Sequence, residues 1–288
     1  MTDVNWASLF NSYARRKTQD AENAPIPGYA TDVDLTAGRG LTAIGDAWGR
    51  ERFGGPFFTS PPPDDGLPAT SLVFVRSCDG NTETRAPEEL GGGTTDTHVV
   101  YEGLSRVAAD AVLVGAGTLS RNSTVFSVWH PAHVGLRAAL GKPRHPTQVV
   151  ASENGVLPVS EALLFNVPEA PMVIVTTDAG AARLAPAVAA RPWITIRTTG
   201  PRSDLRLHLR GLAAAGLRRL PAVGGRHLAT GLIDAHLVQE LYLTTGMRPG
   251  GTPRTPYYIG TSPPALTPIL QKRGLGAETG VVFEHFLL

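Results

Sequence analysis

The rhythm of apolar and polar positions changes near residue 69. Before it, Val4 to Tyr13 has the spacing of a short amphipathic helix, with Trp6, Leu9, Phe10 and Tyr13 near one face. The stretch Gly38 to Pro63 is broken by glycines and runs into Ser60-Pro61-Pro62-Pro63-Asp64-Asp65-Gly66, a cluster that stops regular structure. Residues 1–68 therefore read as an arm packed on a domain formed by residues 69–288, either wrapping its surface, covering a pocket or making dimer contacts. After residue 69, short apolar runs alternate with helical spacing. Ser71 to Val75, Ala111 to Val114, Thr147 to Ala151, Met172 to Thr176 and Arg219 to Val223 read as buried strands, Leu237 to Thr245 and Gly280 to Leu288 as further ones. Helices are expected from a Thr95-Asp96 cap through Ala108, over Arg202 to Gly216 and over Gly225 to Ala235. Such alternation predicts an α/β domain with a largely parallel sheet.

Composition narrows the class. The chain of 288 residues is 42% hydrophobic and 18% charged, enough apolar content to bury a core and to exclude global disorder. Lys+Arg 26 against Asp+Glu 25 leaves a net charge of +1, which gives no electrostatic case for nucleic acid or an anionic membrane. A single cysteine, Cys78, excludes a disulfide scaffold and Cys-rich zinc sites, the zinc deaminase pattern among them. The order of charged and apolar residues at the N-terminus is wrong for a signal peptide, and the apolar stretch Val107 to Leu119 is too short to span a bilayer. The expectation is a cytoplasmic protein.

Two glycine-rich turns follow two of the strands. Val223-Gly224-Gly225-Arg226-His227-Leu228 leads a strand into a helix, where bare backbone and free N–H groups suit a phosphate. A tight strand-to-helix connection favours the same residues. Val114-Gly115-Ala116-Gly117-Thr118 ends another strand, either as a passage for a cofactor or as a turn with Thr118 capping a helix. Together they are what the carboxyl ends of sheet strands carry where α/β proteins bind ligands. Asp79 reads as a turn residue or a site acid. His130, His133 and His145 read as surface histidines without metal-ligand company, so no metal is expected.

Four blocks occur in one order: Ser77-Cys78-Asp79-Gly80, Leu104-Ser105-Arg106 through Gly115-Ala116-Gly117-Thr118, Val223 through Leu228, and Leu237-Val238-Gln239-Glu240-Leu241. Over residues 69–288 the chain resembles the reductase domain of the riboflavin-biosynthesis deaminase-reductase, the pyrimidine reductase family. The resemblance implies a dihydrofolate-reductase-like α/β/α sandwich with a mixed, mostly parallel central sheet, NADPH as cofactor, a small heterocyclic substrate and a homodimer. It implies cofactor contacts at Thr118, Ser152, Gly225, Arg226, His227, Leu228, Ala229, Thr230 and Gly231. It implies substrate contacts at Ser77 and Arg106 and at the positions of Asn122 and Val223, with Asp79 in the first-strand motif that borders the site; Asp79 is then the candidate proton donor or organiser.

The departures fall on the substrate side. Val223 stands where the family has an acidic residue, Asn122 where it has an aspartate, and Asn81 where it has a base. Each change removes a charge that would hold a phosphorylated ribose or orient its polar groups. The expected reaction is therefore hydride transfer from NADPH to a conjugated C=N or C=O of a pyrimidine- or pteridine-like molecule other than the usual phosphoribosylamino-uracil. A ligand-binding homologue without turnover and a dihydropterin reductase remain the alternatives.

Overall fold

Strands buried on both faces need a helix layer on each side, and the five runs of that kind predicted between residues 69 and 223 sit side by side in the computed structural model, which describes residues 4–84, 87–120 and 122–288. In chain order the strands are β1 (Tyr29–Asp34), β2 (Thr42–Ile44), β3 (Phe57–Thr59), β4 (Ala69–Arg76), β5 (Ala111–Gly115), β6 (Thr147–Ala151), β7 (Met172–Thr176), β8 (Ile194–Thr198), β9 (Arg219–Ala222), β10 (Glu240–Thr245), β11 (Pro268–Gly274) and β12 (Val282–Leu287). The helices are α1 (Trp6–Asn23), α2 (Ala47–Phe53), α3, α4 (Pro131–Ala139), α5 (Asp178–Val188), α6 (Leu205–Ala214) and α7 (Arg226–Asp234). Helix α3 begins as a turn, Gly93–Thr95, and widens into a π-helix over Asp96–Leu104.

One sheet has the order β1-β11-β12-β10-β4-β9-β5-β6-β7-β8. From β10 to β8 every neighbouring pair is parallel, and β12, β11 and β1 extend it antiparallel. Val112 and Val114 of β5 join the core beneath Val99 and Val100 of α3. Ala111 and Leu113 face the opposite core, with Leu209 of α6 and Leu232 of α7. The fold is thus the expected three-layer arrangement around a mostly parallel sheet. From β5 to β8 the strands step outward in one direction. The chain then returns through α6, inserts β9 between β4 and β5, and crosses through α7 to β10 on the far side of β4. The order reverses around β9, which opens a crevice at the carboxyl ends of β4, β9 and β5.

Several elements differ from the expectation. Helix α1 is eighteen residues long, capped by Asn5, whose side chain accepts from the Ser8 N–H at 2.9 Å. Its second half buries little but Ala21, so apolar spacing stops at Tyr13 while the helix continues. Residues 1–68 also supply β1 to the main sheet. Thr95-Asp96 does not cap a helix: the chain is already helical from Gly93, which adopts φ +81°, and Thr95 uses its hydroxyl to accept from the Gly28 N–H at 3.1 Å.

The histidines need correction too. His133 and His145 are buried, not surface residues. The N-terminal segment covers them: Trp48 and Phe57 flank His133, and Phe10 with Trp129 flanks His145. His133 Nε2 pairs with the His98 carbonyl at 2.9 Å and His145 Nδ1 with the Ser127 hydroxyl at 2.8 Å. Burial pushes both imidazoles down to about 4. Both are neutral in the fold, whereas the unfolded chain takes up a proton at each below about pH 6.5. Their contribution is full above that pH and lost as it falls towards 4. Between pH 7 and 5 the wild type should lose on the order of 2 kcal/mol relative to His145→Phe, read as urea unfolding midpoints. Parallel pH profiles for the two proteins would contradict it.

Candidate active site

The crevice is built from backbone first. Beyond β9, Val223 donates its N–H to the Leu113 carbonyl at 2.9 Å, and the Gly115 N–H reaches the Gly224 carbonyl at 3.4 Å. The two glycine-rich turns are thereby held against each other. Gly225, at φ +94°, needs glycine for its backbone. Its conformation is left-handed, and a Cβ there would lie 3.4 Å from both Gly115 Cα and Thr118 Oγ1. A Cβ on Gly224 would come within 3.1 Å of Thr118 Cγ2. Thr118 itself is exposed at the rim.

Helix α7 starts at this contact. No side chain caps it, and its first internal bond runs from the Ala229 N–H to the Gly225 carbonyl. The N–H groups of Arg226, His227 and Leu228 therefore lack intrahelical acceptors, and the helix dipole adds positive potential. His227 is exposed and Leu228 packs over Gly115. The Arg226 guanidinium is paired with Glu83 at 2.6 Å, on the loop that follows β4. The rest of the expected cofactor stretch does structural service. Ala229 is buried, the Thr230 hydroxyl accepts from the Ile259 N–H at 3.0 Å, and a side chain on Gly231 would meet Leu205. Only Gly225 to Leu228 face the crevice, because beyond the first turn a helix spends its N–H groups internally.

Beyond β4, Ser77 and Asn81 fasten a second loop over the strand end. The buried Ser77 hydroxyl bonds to the Asp79 carboxylate and to the Gly250 carbonyl, the latter at 3.0 Å, and accepts from the Asn81 N–H at 3.2 Å. Asn81 Nδ2 donates to the same Gly250 carbonyl at 3.0 Å. Asp79 is exposed. The Ser77 hydroxyl, aided by the Gly250 N–H, holds its carboxyl below the usual carboxylate range. It is ionised at neutral pH, able to accept a hydrogen bond but with no proton to give.

The other sequence-derived residues do not join this group. Arg106 is buried, its guanidinium 4.0 Å over the Tyr101 ring and 5.5 Å from the Phe126 ring, with Nη1 donating to the Ser127 carbonyl at 2.9 Å. The aromatic sandwich keeps it inside the α3 layer, and Nε and Nη2 have no partner there. Val223 points into the core beside Val114, and Ser152 turns its hydroxyl to the Gly155 N–H at 3.1 Å. Asn122 is exposed and lines a cavity of about 300 Å³ whose apolar walls include Trp6, Leu9 and Tyr13 of α1 and Leu163.

Two residues were invisible to sequence reasoning. Glu83 had no signal. Asp96 read only as a helix cap, yet it is buried, and desolvation pushes its carboxyl up to about 7. The run Gly91-Gly92-Gly93 before it was the available hint. Among the described residues no three metal-binding side chains gather, and no helix is long and apolar enough to cross a membrane.

Residues 69–259 match the family model of the RibD C-terminal domain. No curated protein matches the chain. Among solved structures, a pyrimidine reductase-like protein from Corynebacterium diphtheriae is similar over 77% of this chain and 92% of its own, at 17% identity and a TM-score of 0.63. RibD of Acinetobacter baumannii is similar over 77% of this chain and 58% of its own, at 14% identity and a TM-score of 0.57. These likenesses show that the fold is shared with known structures, and the family model covers the two glycine-rich turns, Ser77 and Asp79. The chain belongs to the RibD C-terminal domain family of pyrimidine reductases, which are oxidoreductases.

Proposed function

We propose that the protein is an NADPH-dependent reductase acting on a C=N or C=O bond of a pyrimidine- or pteridine-like small molecule. The observation that carries this reading is the contact of two glycine-rich turns beside the uncapped start of α7. Where side chains are absent and three N–H groups point outward, a dinucleotide's phosphates fit. Gly224, Gly225 and the N–H groups of Arg226 to Leu228 would hold them, with the Thr118 hydroxyl at the opposite rim. Bound there, the reduced nicotinamide supplies the hydride. The chain's own part is to place the acceptor and exclude water.

On the acceptor side, the residues favour a molecule with less negative charge than a phosphorylated ribose carries. Val223 is part of the core, Asn81 is spent on the Gly250 loop, and Asn122 borders the apolar cavity under α1. None offers a cation to a phosphate.

Titration with NADPH and NADH, followed by quenching of protein fluorescence, tests the cofactor half. Wild type should bind NADPH at micromolar concentration. Gly225→Val should weaken it by at least about tenfold with an unchanged circular dichroism spectrum, because the added side chain meets Gly115 and Thr118. Undiminished affinity in that variant would remove the placement. Glu83→Gln should tighten NADPH a few-fold, since it frees the Arg226 guanidinium from an exposed ion pair. Weaker binding in Glu83→Gln would show that Arg226 does not meet the phosphates.

A further inference from the structure

Reduction of C=N or C=O consumes one proton for every hydride, and Asp79, the carboxyl at the lip of the crevice, has none to offer. We propose that Asp96 donates that proton from beneath the crevice, with Thr244 beside it. This rests on the reductase reading above.

The placement follows from the sheet register. On β4, Val75 is the last residue facing α3 before Ser77, and on the neighbouring strand Thr244 is its partner. The Asp96 carboxyl lies over this pair. A Cβ built on Gly92 would be 2.9 Å from Val75 Cγ2 and 3.1 Å from Asp96 Oδ2. One step further along the strands Arg76 pairs with Thr245, and the next residue of β4's chain, Ser77, begins the loop that carries Asp79. Gly92 and Gly93 are glycines for this reason: a side chain at the first would displace Asp96, and one at the second would strike Glu278.

The surroundings are polar and incompletely satisfied. The Thr244 hydroxyl, the Tyr29 hydroxyl and Glu278 Oε2 are buried without a hydrogen-bond partner. Three such atoms around one carboxyl are costly unless something else completes them. A substrate heteroatom, or the water that precedes it, supplies what is missing. The charged and titratable groups facing Asp96 are Glu278 and Tyr29, and neither is a cation. With no cation to stabilise the anion, the buried carboxyl keeps its proton up to about pH 7, where a donor must release and recover one.

The step balances simply. As the hydride forms the new C–H bond, the π pair of the acceptor moves onto its nitrogen or oxygen and takes the proton from the Asp96 O–H. The carboxylate left behind recovers a proton from water. The only redox exchange is the two-electron one between nicotinamide and acceptor.

Two measurements decide it. Infrared difference spectra between pH 5 and 9 should show a protonated carboxyl band in the wild type that titrates near 7 and is missing in Asp96→Asn. No such band overturns the proposal whatever the activity. The second follows NADPH oxidation with 7,8-dihydrofolate and 7,8-dihydrobiopterin as acceptors. The wild-type rate should fall above about pH 7. Asp96→Asn should be slower by at least about tenfold and flat with pH, with NADPH affinity kept. Thr244→Val, which removes the neighbouring hydroxyl that favours the ionised carboxylate, should move the falling limb to higher pH, a shift that a purely structural role would not produce. Turnover by Asp96→Asn at the wild-type rate and pH profile overturns the donor alone. A wild type that binds NADPH but reduces neither acceptor overturns the reductase reading and the donor with it.

Discussion

The crevice depends on a backbone contact, the approach of Gly224 to Gly115 where β9 enters between β4 and β5. Parallel strands normally keep their connecting turns apart, because side chains at the carboxyl ends need room. Here neither turn has any at the point of contact, so a peptide-to-peptide hydrogen bond closes the gap and Thr118 lies over the bare glycines. The returning crossover through α6 is what delivers β9 to that slot, and α7 can start at the contact only because Gly225 accepts a left-handed conformation. Strand order, turn composition and helix start are thus aspects of a single geometric requirement.

The same requirement divides the site into two halves of different character. The α7 half is backbone, with its polarity fixed by N–H groups that cannot be mutated away. The β4 half is side chains: Ser77, Asp79 and Asn81 lock a distant loop over the strand end. A change of side chain can alter the β4 half while the N–H cradle of the α7 half stays as it is.

What the sequence disclosed follows burial. Strands β6 and β7 were read residue for residue because both their faces are covered and, the buried Gln148 aside, every position is apolar or a threonine. Strands β1 and β8 lie at the sheet edges with half-polar patterns, and β11 mixes Gln271, Lys272 and Arg273 with its apolar residues; all three escaped. The glycine-rich turns were legible because glycine announces its own reason. Arg106 was not: its type suggests a ligand, and only the Tyr101 and Phe126 rings reveal that it is an internal strut. Asp96 lies at the other extreme, since a carboxyl becomes an acid near neutrality through neighbours brought from β1, β10 and the turn at Glu278. The glycines just before it are the one local trace of that.

Strand β1 separates two ideas of what a domain is. The family match begins at residue 69 and ends at residue 259, yet the sheet it defines continues through β12 and β11 and is finished by β1, forty residues before the match starts. A protein cut back to residue 69 would present the bare N–H and C=O ladder of β11 to any passing strand, and would uncover the histidines that α1 and α2 now shelter. The unit that the family match delimits and the unit that completes its own sheet are different lengths of this chain.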